Sequence, residues 1–139
     1  MPSCEPIRTV TPMTTTTSAP AALLDAICDR DFATLATCLA PGATMRAVLP
    51  PRIVEATGPD EILEWFRRWY DTDQQVDLID CELTDVAGRA RVAWRFRVSA
   101  HPFNGDPGPH LIEQIGFCDV DAADRIARID LLCSGFRPC

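Results

Sequence analysis

The chain has 139 residues, 47% hydrophobic and 24% charged, and its 20 acidic against 13 basic residues give a formal net charge of −7. That length suits one globular domain with a substantial core. The acidic balance argues against a polyphosphate partner, because nucleic-acid binding rests on a positive footprint. Every basic residue is Arg, with no Lys; this reads first as codon usage in a GC-rich bacterial genome of the actinomycete type, which makes each Arg less informative.

Seven cysteines (Cys4, Cys28, Cys38, Cys81, Cys118, Cys133 and Cys139) include no C-x-x-C pair, so the compact zinc and thioredoxin-type spacings are missing. Most lie in apolar segments, where a thiol behaves as a small hydrophobe. The N-terminus lacks the apolar stretch of about 7–15 residues that a secretory signal needs. No segment approaches the roughly 18 apolar residues of a membrane span. The expectation is a cytoplasmic protein with reduced thiols and no membrane association.

Residues 1–18 combine three prolines with a Thr run and no hydrophobic period, so they read as a flexible tail or strand-like arm ahead of one domain over 19–139. Ser18 is a candidate N-cap with Pro20 in the first turn of a helix whose stripe is Leu23, Leu24, Ile27 and Cys28. Asp31 caps a second helix carrying Phe32, Leu35, Cys38 and Leu39, and "APG" at 40–42 is expected to end it. "ATMRAVL" and "IVEAT" form a strand hairpin around "PPR". Gly58-Pro59 opens a third helix that buries Ile62, Phe66, Trp69 and Tyr70.

Beyond "DTDQQ" the period changes to two. "VDLIDCELTDV" places Ile79, Cys81 and Leu83 on one face and Asp80, Glu82 and Thr84 on the other. Three more strands follow, "RVAWRFRV", "HLIEQIGFCDV" and "IARIDLLC", with a Pro/Gly-rich loop "HPFNGDPGP" between the first two. Helices first and then hairpin-connected strands give an α+β class with a curved, mostly antiparallel sheet.

The segment "RVAWRFRV" interleaves arginines with aromatics, as a nucleic-acid surface would. Its period of two sends the two sets to opposite faces, so they cannot form one shared surface. Trp94 and Phe96 belong with the helices. Arg91, Arg95 and Arg97 belong outside, opposite Asp80 and Glu82, with Asp130 and Arg128 on the last strand. A ladder of structural ion pairs follows, and no nucleic-acid partner is expected.

The segments "DFATLATCLAPGATM", "ATGPDEILEWFRRWY" and "DRIARIDLL" resemble the second helix with first strand, the Gly-started third helix and the final strand of the nuclear-transport-factor-2-like superfamily. That group includes ketosteroid isomerase, limonene epoxide hydrolase and the SnoaL-type polyketide cyclases. The resemblance spans about residues 19–136 and implies a cone-shaped α+β barrel, its sheet curled around the helices. It also implies an apolar pocket walled by Leu24, Ile27, Met45, Ala47, Phe66, Trp69, Trp94, Phe96 and Leu131. The superfamily hosts many chemistries, so activity has to be argued from the site. On this resemblance the isomerase's helix-1 tyrosine falls at Leu23, its general-base aspartate at Ala47 and its oxyanion-stabilising acid near Gly116. All three functional groups are missing, which argues against a steroid isomerase of that design. An epoxide-hydrolase arrangement is not clean either: Arg95 and Arg97 lack an acid two positions on.

His110 and His101 flank the Pro/Gly-rich loop, and His110 is the better-placed acid/base candidate near neutral pH. Cyclases of this fold pair a late-strand His with an acid; Asp130 or Glu113 is the nearest equivalent, with strand parity leaving the carboxylate's face open. Gln114 shares the face of His110 and can hydrogen-bond a substrate carbonyl, or simply needs a buried partner. Tyr70 is a donor at the end of the third helix. Cys133 points inward, with no partner in sequence that would activate it as a nucleophile. Neither a metal nor a cofactor is called for. The residues support a cofactor-independent cyclase, isomerase or dehydratase acting on a hydrophobic small molecule. Its catalytic set would be His110, Asp130 and Glu113, and its binding set Phe66, Trp69, Tyr70, Trp94, Phe96, Gln114 and Cys133. The alternative is a non-catalytic ligand-binding or dimeric interaction module. Mixed charges around Leu132 on the outer strands favour a homodimer.

Overall fold

Ser18 caps the first helix: in the computed structural model, which describes residues 18–70, 76–98 and 109–138, its Oγ accepts from the Ala21 N–H at 3.4 Å. His101, Cys4, Cys139 and the loop before His110 lie outside the described residues, as does the tail before Ser18. Helix α1 (Ala19–Asp29) starts with Pro20 in its first turn and stops at Arg30, whose φ of 53° turns the chain left-handed. Asp31 caps helix α2 (Phe32–Cys38) by accepting from the Thr34 N–H at 3.2 Å and the Thr34 hydroxyl at 2.6 Å. Those two donors hold the Asp31 carboxyl below the usual carboxylate range.

Helix α2 ends just ahead of "APG", and at Leu39 the chain passes straight into strand β1 (Leu39–Leu49), so that segment lies within the strand. Pro41 and Gly42 sit where the β1 register slips between Leu39 and Thr44, the kind of irregularity that accommodates a residue lacking N–H. Strand β2 (Arg52–Thr57) returns antiparallel to β1. Gly58, at φ 87°, turns into helix α3 (Pro59–Tyr70). Glu61 closes the helix start by accepting from the Thr57 N–H at 3.2 Å.

Strands β3 (Val76–Val86), β4 (Arg89–Val98), β5 (His110–Val120), β6 (Ile126–Cys133) and the short β7 (Arg137–Pro138) complete one sheet. Its order is β2-β1-β6-β5-β4-β3, with β7 pairing β5. The sheet is mixed: β1 runs parallel to β6, and the remaining pairs are antiparallel. The expectation of Ile79, Cys81 and Leu83 sharing one face needs a correction. Leu78 pairs Phe96 while Asp80 pairs Arg95, so Ile79 is the extra residue of a β-bulge and the alternation restarts beyond it.

The inward face is apolar and packs on the helices. Met45, Ala47, Val92, Trp94, Phe96, Ile129 and Leu131 meet Leu23, Leu24 and Ile27 of α1 and Ile62 and Phe66 of α3 in one buried cluster. The outward face carries the expected ladder. Arg91 pairs Glu82 at 2.7 Å, and Arg95 pairs Asp80, with Nε to Oδ1 at 2.9 Å. Arg89 bridges Asp119 at 2.7 Å and Asp130 at 2.9 Å across three strands. These groups are between 26% and 60% exposed, so each pair is worth only about 0.2–1 kcal/mol.

Candidate functional site

One row of the inward face brings chemistry together. The register aligns Cys81 of β3 with Trp94 of β4, Trp94 with Gln114 of β5, and Gln114 with Cys133 of β6. Tyr70, the last residue of α3, closes over this row with its ring centroid 5.0 Å from that of Phe96. The Tyr70 hydroxyl donates to Gln114 Oε1 at 2.5 Å. Trp94 Nε1 donates to the Tyr70 oxygen at 3.0 Å and to Gln114 Oε1 at 3.1 Å. An indole N–H has no acceptor capacity, so the amide atom beside it has to be the oxygen. That fixes Nε2 on the other side, buried, with no oxygen or nitrogen to accept from it and only the Cys133 sulfur beside it.

Burial disfavours the charged forms of Tyr70, Cys133, Cys28 and Cys118 around this network. Burial pushes the Tyr70 phenol well above its ordinary range, against a smaller opposing effect of the Trp94 hydrogen bond. Burial likewise raises the Cys133 thiol, although the Gly135 N–H at 3.4 Å and the Gln114 amide favour its thiolate. Cys28 of α1 lies beside Cys81, and burial first, then that neighbour, pushes the Cys28 thiol up. Cys118 is driven to about 12 mainly by burial. None of these has the lowered pKa of an attacking thiolate. Among the described residues, no group of His, Cys, Asp and Glu is arranged to hold a metal ion.

His110 begins β5 and is 1% exposed on the same inward face, four residues before Gln114, which is also 1% exposed. At about 3.4 Å per residue the two are roughly 13 Å apart along the strand. The carboxylates grouped with His110 go the other way. Glu113 faces outward and pairs with Arg137, and Asp130 faces outward between Arg89 and Arg128. Strand parity, left open by the sequence, turns Glu113 and Asp130 away from the face of His110. Phe66, Trp69, Tyr70, Trp94, Phe96 and Gln114 are all buried together, and Cys133 is half-buried at the end of the row.

The residues expected to wall a pocket pack on one another: Phe66 and Trp69 meet edge to face at 5.3 Å, and Phe66 lies 6.3 Å from Trp94. Two cavities lie elsewhere. One of about 400 Å³ sits on the outer face over Ala93 and Ile115, rimmed by Arg91, Arg95 and Glu113. The other, about 450 Å³, lies beside the start of α1 against Leu83, Ala90 and Cys118. Leu23 and Ala47, at the isomerase's tyrosine and aspartate positions, are buried in the core, and a Cβ at Gly116 would come within 3.3 Å of Val92. The Trp94 N–H and the Cys28–Cys81 contact were missed by sequence reasoning. Alternation gives a residue's face, but not which residue stands opposite it.

Three helices held in a curved, unclosed mixed sheet define a cone-like α+β protein of the nuclear-transport-factor-2 and ketosteroid-isomerase type. Residues 21–129 match the SnoaL-like domain, and the chain belongs to that family. A SnoaL-like candidate polyketide cyclase from Shewanella denitrificans superposes with a TM-score of 0.64 at 13% identity, covering 84% of this chain and 88% of that one. A candidate polyketide cyclase from Xanthomonas campestris gives 0.63 at 14% identity, over 82% and 86% of the two chains. A protein of ketosteroid isomerase-like fold from Catenulispora acidiphila, solved with trimethylamine, gives 0.60 at 15% identity, over 84% and 85%. At these identities the likeness shows the fold alone. No curated protein matches the sequence. No helix among the described residues is long and apolar enough to cross a membrane.

Proposed function

We propose that the chain binds a hydrophobic small molecule between α3 and the inward face of β5, and acts on it as a cofactor-independent cyclase or isomerase. One observation carries this reading: β5 buries two polar side chains, His110 and Gln114, on an otherwise apolar inward face. Burying a polar side chain on an apolar face is costly, so two of them on one strand point to a ligand that they serve. In this scheme His110 moves the proton, since an imidazole is the inward side chain that can both accept and donate one. Tyr70 and Gln114 orient the ligand's polar end, and Phe66, Trp69, Trp94 and Phe96 supply apolar contact. Glu113 and Asp130 take no part, because Arg137, Arg89 and Arg128 hold them on the opposite face. The test is solvent-deuterium incorporation into polycyclic enones, whose γ-protons lie well away from the carbonyl oxygen that Gln114 would hold. His110→Ala should slow it by roughly 10²–10⁴-fold, and unchanged exchange contradicts a catalytic role.

A second reading, a non-catalytic binding module, draws on the outward pairing of Glu113 and Asp130 and on the close packing of Phe66, Trp69 and Trp94. In that case ligands bind with no exchange above the solvent background in either protein.

The outer face supports a homodimer. Ile53, Val48, Leu132, Ile115 and Ala93 follow one another in register across β2, β1, β6, β5 and β4. Ile53 is 52% exposed and Leu132 50%. An apolar row flanked by ion pairs of mixed sign can match a two-fold copy of itself.

A further inference from the structure

The core side of the sheet is open at one corner. Val92 of β4 is buried on the inward face, and Leu83 of β3 stands opposite it on that same face, yet Leu83 is 40% exposed. In the next inward row Asp85 of β3 faces Ala90 of β4, which faces Cys118 of β5. Val120, two residues past Cys118 on β5, is again 40% exposed. These side chains line the cavity of about 450 Å³ whose other wall is Ser18 and Pro20. Helix α1 begins at Ala19, at the rim of this corner, so the helical layer that covers the rest of the inward face ends there.

The chain itself arrives at that rim. Residues 1–17 run into Ser18, and their apolar side chains nearest to it are Met13 and Val10, spaced from Ser18 by Thr14–Thr17. Extended backbone spans at most about 3.6 Å per residue, so Met13 can lie up to about 18 Å and Val10 up to about 29 Å from Ser18. Leu83 to Asp85 is only about 7 Å of strand. Charge is complementary as well. Asp85 has no ion-pair partner among the described residues, and Arg8 is the one basic residue of 1–17.

We infer that residues 8–13 fold back onto this corner of their own chain, with Met13 and Val10 against Leu83 and Val120 and Arg8 beside Asp85. The segment thereby completes the core at the end of α1. A tethered segment is present at an effective concentration in the millimolar range, which favours it over a free partner. The corner also faces inward, away from the outer row Val48–Leu132–Ile115, so pairing of two copies through that row leaves it open.

The experiment is solution NMR of the full chain with labelled Met, Leu and Val methyl groups. Nuclear Overhauser contacts are expected from the Met13 methyl to the Leu83 and Val120 methyls, and they should persist on dilution. Val10→Ser combined with Met13→Ser should abolish them and lower the folding equilibrium constant by roughly 5- to 30-fold, the range for partly buried apolar side chains. Leu83→Ser alone should cost a similar factor, and adding it to the two serine substitutions should cost little more, because the shared contact is already gone. No contact from Met13 to either methyl in the parent, or full additivity of Leu83→Ser with the two substitutions, overturns the inference. Contacts that fade on dilution, or that join differently labelled copies in a mixed sample, put a second copy's segment in the corner and overturn it too.

Discussion

Trp94 and Gln114 stand opposite each other on β4 and β5, and the indole N–H donates to the amide oxygen at 3.1 Å. That contact, shared with Tyr70, ties the last residue of α3 to the centre of the sheet. Tyr70→Phe removes the hydroxyl but leaves Gln114 Oε1 with the indole donor, so it should cost about 1–2 kcal/mol. Trp94→Phe removes the donor and a large part of a buried ring, and should cost about 2–4 kcal/mol. Urea unfolding of the two variants checks the order, and a larger loss for Tyr70→Phe contradicts it.

Buried thiols make stability fall in alkali. The folded-state pKa of Cys118 is raised from 9.0 to about 12. The stability tied to its proton is therefore complete below the unfolded value and is lost as pH rises from about 9 towards 12. In that window the unfolded chain has released a proton that the folded chain keeps, giving a slope of about −1.4 kcal/mol per pH unit per group. Unfolding free energies at pH 8 and pH 10 under reductant should show a decline, and Cys118→Val should reduce it by about one proton's share. An unchanged slope in Cys118→Val rules out this thiol as a contributor.

Fold and site differed in how legible they were. The helix caps at Ser18 and Asp31, the Gly58 entry to α3 and the parity of Trp94 against Arg95 are local features, set by side chains within a few residues, and all were readable. The parallel pairing of β1 with β6 joins segments far apart in sequence, which no local period encodes. "APG" marks the end of α2 as read, but the early start of β1 at Leu39 was not legible, because a register slip accommodates Pro41 and Gly42 within the strand. For the site, alternation gave the faces of His110, Gln114 and Cys133. It did not give the Cys81–Trp94–Gln114–Cys133 row, which depends on register, nor the outward pairing of Glu113 and Asp130 with Arg137 and Arg89.

The outer apolar row predicts an oligomer that one substitution dissolves. Light scattering at micromolar concentration should give a dimer, and Leu132→Arg should give a folded monomer, because a charge would fall at the centre of the row Val48–Leu132–Ile115. A monomeric parent protein contradicts the dimer.

The inward face of β5 as the ligand site is tested most directly by a crystal structure of the parent protein soaked with 9-fluorenone. The expected result is the ring system between α3 and β5, with its oxygen about 2.8–3.2 Å from Gln114 Nε2 and the Tyr70 ring displaced. Ligand found instead on the outer face, in the depression between Arg91 and Arg95 over Ala93 and Ile115, with the Tyr70–Gln114–Trp94 contacts undisturbed, would contradict it.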